Sequence, residues 1–357
     1  MKISLAYPKN IIEKDKCLFD SILDYKVKIP VVKKVKNVFV SYEGLFLQKM
    51  VLLKSSAFNL SGKKDINFYW KYWRLVAEQF LVSRFGNSLF SKQYRNGNYA
   101  IVHTKWFNYA FWINDSINRC VLLEKSLRND EFVLLVPESL YEITFVKDTL
   151  SAFNFNIELI PKDTHCFISN CFLPQTRQYT ASFDPISVQQ IREKLIPIAL
   201  KKSKIGEYPS KIYLSRRERG VRSLSNELEV EETLIACGFT ILSFENLSVW
   251  DQIAYMYHTN WFVANHGAGF SNILFMKPGN KVLEFLEYDF AHYGNPFPHW
   301  RLSTIVQLNY YYLFGVSNET QYIPYVKNRM TTSKKRMQLV NREIKVDICA
   351  LKKIVNG

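Results

Sequence analysis

Residues 248–287 read SVWDQIAYMYHTNWFVANHGAGFSNILFMKPGNKVLEFLE, and their order of elements decides the fold. A helical pattern precedes the apolar run 261–264, which is typical of a buried strand. A turn of small residues, a second helical pattern and a second mostly apolar strand follow. This order predicts a right-handed βαβ unit. Its loop lies at the carboxyl end of a parallel strand, where open α/β sheets bind their ligands.

Gly267 and Gly269 lie in this turn, directly after His266. Glycine has no Cβ atom and lets a ligand approach the backbone closely, although a tight turn alone would also require it. The next helix, which we expect to begin near Ser271, would direct free N–H groups and a positive dipole end toward that ligand. With the acid Glu284 on the following strand, the pattern favours a site for an anion such as a phosphate.

The composition indicates two folded domains. The chain has 357 residues, of which 48% are hydrophobic and 15% aromatic, so a disordered protein is excluded. The net charge of +15 predicts an acidic partner, which could be a nucleic acid, an anionic membrane or a charged small molecule. Because no basic helix or aromatic sheet motif for nucleic acid is recognisable, we favour contact with an anionic membrane surface.

The cysteines and the apolar runs predict the compartment. The six cysteines contain no CxxC pair and no zinc spacing, so we expect free thiols in a reducing environment. Pro8 interrupts the first residues before an apolar region of signal length forms. No run approaches the roughly 18 apolar residues of a membrane span. We therefore expect a soluble, cytoplasmic protein.

Alternating strand and helix patterns predict two Rossmann-like domains. The first covers residues 1–180 and the second covers residues 186–330. The basic segment 331–357 is predicted to be partly helical and to pack back on the N-terminal domain. The fold class is therefore α/β.

Three strand ends of the second domain are predicted to meet at one crevice. They carry Ser215 to Arg217, Asn265 to Gly269, and Glu284 with Glu287. Guanidinium groups match phosphate oxygens, so Arg216 and Arg217 would hold a diphosphate without a metal. A surface loop with ion pairs to Glu218 is the alternative. Glu284 would bind a ribose or sugar hydroxyl.

Several catalytic motifs are absent from the sequence. The absence of a P-loop, of GxGxxG, of HExxH and of GxSxG argues against a nucleotide triphosphatase, a dehydrogenase, a zinc hydrolase and a serine hydrolase. No DxD pair stands at a strand end, where it would hold a divalent ion beside a diphosphate.

Residues 211–287 resemble the signature domain of glycosyltransferase family 61. The resemblance is carried by Ser215-Arg216, Arg222, Asn226-Glu227, Gly238-Phe239, Asp251-Gln252, His266 to Asn272, Phe275, Pro278-Gly279 and Glu284. Asp251 stands where the family has Glu, and Phe270 where it has Leu. In the first domain, residues 111–115 (FWIND) are similar to a His-Trp-acid motif of the family, with Phe111 in place of His.

The resemblance implies a GT-B fold, in which an N-terminal acceptor domain and a C-terminal nucleotide-sugar domain face each other across a cleft. It implies an inverting, metal-independent transfer that needs no cofactor, because the nucleotide sugar is a co-substrate. The donor-binding residues are then Ser215, Arg216, Arg217, Arg222, Asn265, His266, Gly267, Ala268, Gly269, Ser271, Asn272 and Glu284.

On the acceptor side, the resemblance implies Asp115 as the catalytic base, with Asn108 and Trp112 beside it. From the residues alone, Asp115 could instead stabilise a helix amino end. We expect His266 to contact donor phosphate or sugar rather than to act as the base.

Family habit and charge predict a glycan or lipid-linked glycan acceptor of the capsule or lipopolysaccharide type, reached at the inner membrane face. Nucleic acid is not an expected partner. The alternative is a non-catalytic GT-B protein that binds a glycan or nucleotide, and Phe111 is the residue that leaves this alternative open.

Overall fold

The computed structural model describes residues 1–20, 22–42, 44–53, 73–77, 79–80, 91–104, 107–175, 182–217, 222–293, 297–322 and 333–357. The chain divides into two compact units. One, called here the main unit, consists of Met1–Val27 and Ala181–Gly357; the other, the 28–180 unit, is Lys28–Thr180. Both contain sheets and helices, which confirms the predicted α/β class.

The first residues form a small antiparallel sheet in the main unit. Strand β1 (Lys2–Ser4) pairs with β2 (Asp24–Lys26), and α1 (Lys16–Asp20) lies between them. The indole Nε1 of Trp300 donates a hydrogen bond to the Ala6 carbonyl at 2.8 Å, and the Phe19 ring packs edge-on against Trp300. The first 27 residues therefore pack with the C-terminal half, whereas the sequence suggested a domain over 1–180.

The 28–180 unit has a mixed seven-stranded sheet with the order β5-β4-β3-β9-β6-β7-β8. Its strands are β3 (Val31–Val40), β4 (Phe46–Gln48), β5 (Val51–Leu52), β6 (Ser91–Ala100), β7 (Val133–Pro137), β8 (Ile157–Ile160) and β9 (Thr164–Gln175). β9, β6, β7 and β8 run parallel, as a Rossmann-like unit requires. β3, β4 and β5 extend the sheet in antiparallel fashion, which the strand patterns did not predict.

Four helices of this unit follow its parallel strands β6 and β7, and residues 73–77 and 79–80 are also helical. A continuous helical segment contains α2 (Tyr109–Phe111), a π-helical turn (Trp112–Ser116) and α3 (Ile117–Ser126). Two short helices, α4 (Glu138–Tyr141) and α5 (Thr144–Leu150), connect β7 to β8. A π turn within a helix is rare and is found frequently at functional sites.

The main unit is built on a five-stranded sheet with the order β11-β10-β12-β13-β14, and every pair in it is parallel. The strands are β10 (Lys211–Leu214), β11 (Thr240–Leu242), β12 (Trp261–Asn265), β13 (Lys281–Glu287) and β14 (Asn309–Gly315). The helices are α6 (Pro185–Lys202), α7 (Glu227–Ala236), α8 (Val249–His258), α9 (Tyr288–His292) and α10 (Pro298–Val306). β12 is buried along its whole length, as its apolar sequence predicts.

The connection between β12 and β13 differs from the predicted helix. It is a 3₁₀ segment over Ala268–Phe275, which begins three residues before Ser271. The 3₁₀ form rises about 2.0 Å per residue, more than an α-helix, so it spans the sheet with few residues. Gly279, at a φ of 85°, then makes the turn back into β13.

The C-terminal segment is an integral part of the main unit. It contains α11 (Ser333–Val340) and α12 (Ile348–Asn356). The Asn226 side chain donates to the carbonyl and accepts from the N–H of Val346, at 2.9 and 3.0 Å. Leu351 and Val355 of α12 lie in the same core as the strands. The segment was predicted to pack on the N-terminal domain, but its apolar residues complete the main core. No helix of the described ranges combines the length and apolarity needed to cross a membrane.

Candidate functional site

The carboxyl ends of three neighbouring strands of the main unit meet as the sequence predicted. Leu214 of β10 pairs with Ala264 of β12, and Ala264 pairs with Glu284 of β13. The residues that follow β10 and β12 therefore lie side by side. This arrangement places Arg216 against the loop that begins at His266.

Gly267 provides space for the Arg216 guanidinium. A Cβ atom at Gly267 would overlap that guanidinium and would lie 3.7 Å from Nη1 of Arg222. The backbone of Gly267 is extended, so its missing side chain, and not an unusual backbone conformation, is what the fold uses. At Gly269, a Cβ atom would lie 2.7 Å from Cδ2 of Leu214. Both glycines therefore permit close packing between the two strand ends.

Arg222 is fixed beside this loop by its backbone and its side chain. It adopts the left-handed conformation, with a φ of 57°. Its carbonyl accepts a hydrogen bond from Nδ2 of Asn265 at 2.7 Å, and its Nε donates to Oδ1 of Asn341 at 3.0 Å. Burial lowers the pKa of the guanidinium below its ordinary value. Among the described residues no carboxylate forms an ion pair with Arg222, and a guanidinium at this position suits an anion.

A buried carboxylate holds His266. Oε1 of Glu284 lies 2.5 Å from Nδ1 of His266 and 2.5 Å from Nδ1 of His299. The Tyr310 hydroxyl donates to Oε2 of Glu284 at 2.7 Å. Glu284 is 1% exposed, and both of its oxygens are engaged. Glu284 thus contacts two imidazoles and a phenol within the protein, and its predicted contact with ribose stays a prediction.

Burial and the two histidines set the protonation of this cluster. Burial disfavours the charged carboxylate, but the attraction of His299 and His266 outweighs it and lowers the pKa of Glu284 below its usual range. Burial lowers the pKa of His266 to about 4, against the raising effect of Glu284. At neutral pH, His266 is therefore neutral and its Nδ1–H donates to Glu284. Its Nε2 is then the ring nitrogen that remains for a ligand.

His299 and Tyr310 were not among the predicted residues. His299 follows Pro298 at the start of α10, and Tyr310 lies in β14 beside β13. Neither residue stands at a motif-like sequence distance from the His266 loop, because the contact with Glu284 depends on the neighbouring positions of β13 and β14 in the sheet. The sequence of β14, NYYYLFG, does not single out Tyr310, because the alternating burial of Tyr310 and Tyr312 is visible only in the fold.

His266, Glu284 and His299 are also residue types that can bind a metal ion. The ligand atoms of His266, Glu284 and His299 lie within 4.8 Å of one another. Around a tetrahedral zinc ion, ligand atoms about 2.1 Å from the metal would be roughly 3.4 Å apart. The separation of 2.5 Å between each Nδ1 and Oε1 of Glu284 fits a hydrogen bond instead. The cluster fits a proton network better than a metal centre.

Three of the other predicted donor residues have structural partners, and a fourth, Ser271, is buried. Ser215 donates to Glu227 and Glu231, and Arg217 pairs with Glu231 at 2.8 Å. The pairing that we considered for Arg217, with Glu218, lies outside the described residues. Ser271 and Asn272 are buried, and Nδ2 of Asn272 donates to Gln252. These contacts hold the loops that carry Arg216 and His266. Ala268 begins the 3₁₀ segment directly after Gly267.

The predicted acceptor-side residues lie at the π turn of the 28–180 unit. Oδ1 of Asn108 accepts from the Phe111 N–H at 3.1 Å and caps α2. Trp112 is buried and its Nε1 donates to Thr149 at 2.8 Å. Asp115 is fully buried, 3.3 Å from the Arg119 guanidinium. The structure thus gives all three side chains partners within their own unit.

Comparison with known families adds one finding. The family model of Glycosyltransferase 61 matches residues 109–283. That range begins at α2, includes the His266 loop and ends within β13, one residue before Glu284. None of the curated proteins matches the chain.

Proposed function

The chain belongs to glycosyltransferase family 61 and is a glycosyltransferase, and from this membership we propose an inverting transfer of a sugar from a nucleotide sugar to a glycan, without a metal ion. The observation that carries the proposal is the meeting of Arg216 and Arg222 at Gly267, beside a neutral His266. Two guanidinium groups at a strand end, next to free backbone N–H groups, suit a diphosphate.

In the proposed reaction, the acceptor hydroxyl attacks the anomeric carbon from the face opposite the diphosphate. The new bond forms between that oxygen and the anomeric carbon, and the bond from the carbon to the phosphate oxygen breaks. Its electron pair leaves with the nucleoside diphosphate, and the hydroxyl proton passes to a base. Arg216, Arg222 and the N–H groups near Gly267 stabilise the negative charge that grows on the leaving group.

His266 is assigned to the leaving-group side of this reaction. It directly precedes Gly267, against which both arginines lie, so it is near the proposed diphosphate. In an in-line displacement the base stands on the other side of the anomeric carbon. We therefore keep His266 as a donor contact, with Glu284 and His299 as positioning residues that orient its ring. Asp115 is the proposed base, and its carboxylate lies 3.3 Å from the Arg119 guanidinium.

We further propose that the two units form the halves of a GT-B fold. The main unit then binds the donor and the 28–180 unit contributes the acceptor side. The proposed acceptor is a glycan or lipid-linked glycan of the capsule or lipopolysaccharide type, reached at the inner membrane face. The net charge of +15 supports contact with anionic lipid. A non-catalytic binding protein is disfavoured by family membership.

The donor site is tested by titrating the protein with uridine, guanosine and cytidine diphosphates and their sugar conjugates. We expect at least one nucleotide to raise the melting temperature and to bind measurably by calorimetry. Arg216→Ala should weaken that binding by about tenfold or more, because it removes a charge-assisted contact. The exposed Lys352→Ala, which removes the same charge elsewhere in the main unit, is the control. Equal affinity of wild type and Arg216→Ala would refute the site.

Metal independence needs its own measurement. We expect transfer rates to be unchanged after the protein is treated with a chelator and transferred to metal-free buffer. A loss of activity that is restored by one divalent ion would contradict the proposal. It would return the cluster of His266, Glu284 and His299 to consideration as a metal centre.

A further inference from the structure

Two arginines of the C-terminal segment have opposite electrostatic environments. Arg342 contacts three carboxylates: Glu287 at 3.2 Å, Asp289 at 2.9 Å and Glu319 at 3.2 Å. Arg336, in α11, forms no ion pair with any described residue. Its guanidinium lies over the Phe290 ring, 5.6 Å from the centroid. Carboxylates neutralise the charge of Arg342, whereas no carboxylate of the described ranges neutralises that of Arg336.

Arg336 lies close to the loop that carries His266. The Phe290 ring that it covers is 5.1 Å from the His266 ring, measured between centroids. Helix α11 is held there by a cluster in which Leu339 and Val340 pack with Phe290. Arg336 is therefore separated from His266 by one aromatic ring, on a helix whose position is fixed by apolar contacts.

The same segment contacts the second donor-site arginine. Asn341 directly follows α11, and its Oδ1 accepts a hydrogen bond from Nε of Arg222 at 3.0 Å. That bond fixes one nitrogen of the guanidinium and leaves its two terminal nitrogens for other partners. Nη1 is the Arg222 atom that lies near Gly267. The C-terminal segment therefore both brings a cation to the loop and orients the cation already there.

Both guanidinium groups are partly buried and have no carboxylate partner among the described residues. Partial burial lowers the pKa of Arg336 and of Arg222, and within the described part of the chain no acidic group offsets this effect for either residue. A guanidinium that is removed from water without an anionic partner destabilises the protein. An anionic ligand at the loop would supply the missing partner, and a diphosphate has two charged groups to offer.

We propose that Arg336 is a donor-binding residue that contacts a phosphate of the nucleotide sugar, and that Asn341 is a positioning residue that holds Arg222 toward the same diphosphate. This inference rests on the proposed function of the site. Both residues lie beyond the range 109–283 that matches the family. The C-terminal segment, which the motif does not include, thus completes the anion site.

The test compares four variants with the full-length wild type. Inorganic pyrophosphate and uridine, guanosine and cytidine diphosphates are titrated by calorimetry. Arg336→Met keeps an unbranched side chain over Phe290 but removes the charge, and it should weaken binding by about ten- to a hundredfold. Arg336→Lys should bind with intermediate affinity, because it keeps the charge and loses the fork. Lys353→Ala, an exposed charge removal on α12, should bind like wild type.

Asn341→Asp provides the fourth variant and a readout that a merely structural role would not give. The new carboxylate would pair with Arg222 and compete with the phosphate, so binding should weaken most at low salt. The melting temperature of the unliganded variant should not fall, because an ion pair replaces a neutral hydrogen bond.

The outcomes separate this inference from the proposed function. If Arg216→Ala loses affinity while Arg336→Met and Asn341→Asp bind like wild type, the inference is overturned and the donor site stands. If wild type binds neither pyrophosphate nor any of the diphosphates, both are overturned. If Arg336→Met lowers the melting temperature, the test relies on Arg336→Lys instead. The inference is then contradicted if Arg336→Lys and Asn341→Asp both bind pyrophosphate with wild-type affinity.

Discussion

Glycine at position 267 is required by space and not by backbone conformation. Its extended backbone would accept any residue, but the Arg216 guanidinium occupies the volume of a Cβ atom. The sequence suggested that the glycines here leave room for a ligand. In the structure, the room at Gly267 is occupied by the Arg216 guanidinium. The contact between Gly267 and Arg216 therefore explains the glycine both by packing and by the position that it gives to a proposed donor-binding residue.

Gly267→Ala should displace Arg216 and weaken nucleotide binding by about tenfold or more, since a charge-assisted contact is lost. Gly206→Ala is the matched control, because no atom lies within 4 Å of a Cβ atom at that position. Binding is measured by calorimetry with the diphosphate that wild type prefers. Unchanged affinity in Gly267→Ala would mean that Arg216 does not contact the donor.

The lowered pKa of His266 predicts a pH dependence of stability. Because His266 has a pKa of about 4 in the folded protein and an ordinary value of 6.5 when unfolded, the unfolded state binds the extra proton first. Stability should therefore fall as the pH decreases from about 6.5 to about 4, by up to the order of 3 kcal/mol. Denaturant unfolding at a series of pH values measures this slope. His266→Gln should flatten it, and an equal slope in both proteins would contradict the assignment.

Asp115→Asn separates a catalytic role from a structural one. If Asp115 is the base, the variant keeps nucleotide binding and its melting temperature while kcat falls by about a hundredfold or more. If Asp115 serves to hold Arg119, the melting temperature falls instead, because a buried guanidinium loses its charged partner. Near-normal turnover in a stable variant would remove Asp115 from the mechanism.

At the scale of elements, the C-terminal helix α12 shows how far composition can mislead. Its lysines suggested a basic tail, but Leu351 and Val355 lie on one face and enter the core of the main unit. Asp347 caps the helix by accepting from the Ala350 N–H at 3.1 Å. An apolar face at helical spacing therefore predicted the packing of α12 better than its net charge did.

Leu351→Ala should reduce the free energy of unfolding by about 2–5 kcal/mol, because it leaves a cavity in a fully buried position. Lys352→Ala, the exposed neighbour, should change it by less than about 0.5 kcal/mol. Denaturant unfolding of both variants measures the difference. A small effect of Leu351→Ala would show that α12 is a dispensable tail.

The elements that could be predicted are those whose determining residues lie close together in the sequence. The strands β10, β12 and β13 were predicted because their apolar runs and the small-residue loop are contiguous in sequence. The contacts of Glu284 with His299 and Tyr310 were not, because they join residues 15 and 26 positions apart through strand pairing. Likewise, the pairing of β3 with β9 joins distant segments and leaves no local pattern.

At the scale of the whole molecule, the excess of positive charge predicts weak attachment to anionic surfaces. Lys33, Lys34 and Lys36 in β3 are exposed, and Ile29, which precedes this strand in the sequence, is 81% exposed. We expect the protein to sediment with vesicles that contain a third phosphatidylglycerol and not with neutral vesicles. Since a surface charge contributes about 1 kcal/mol, Lys33→Glu together with Lys34→Glu should release it. Retention by neutral vesicles, or no effect of the double variant, would contradict this.

The division into units also affects how the protein is made. The main unit needs both Met1–Val27 and the core residues of α12, whereas the 28–180 unit is continuous in the chain. On the ribosome, the 28–180 unit can fold while residues 181–357 are still being translated. The first 27 residues must wait, exposing Phe19 until its partners Phe297, Trp300 and Tyr312 have been translated. Chaperone demand during synthesis should therefore be greatest for this N-terminal segment.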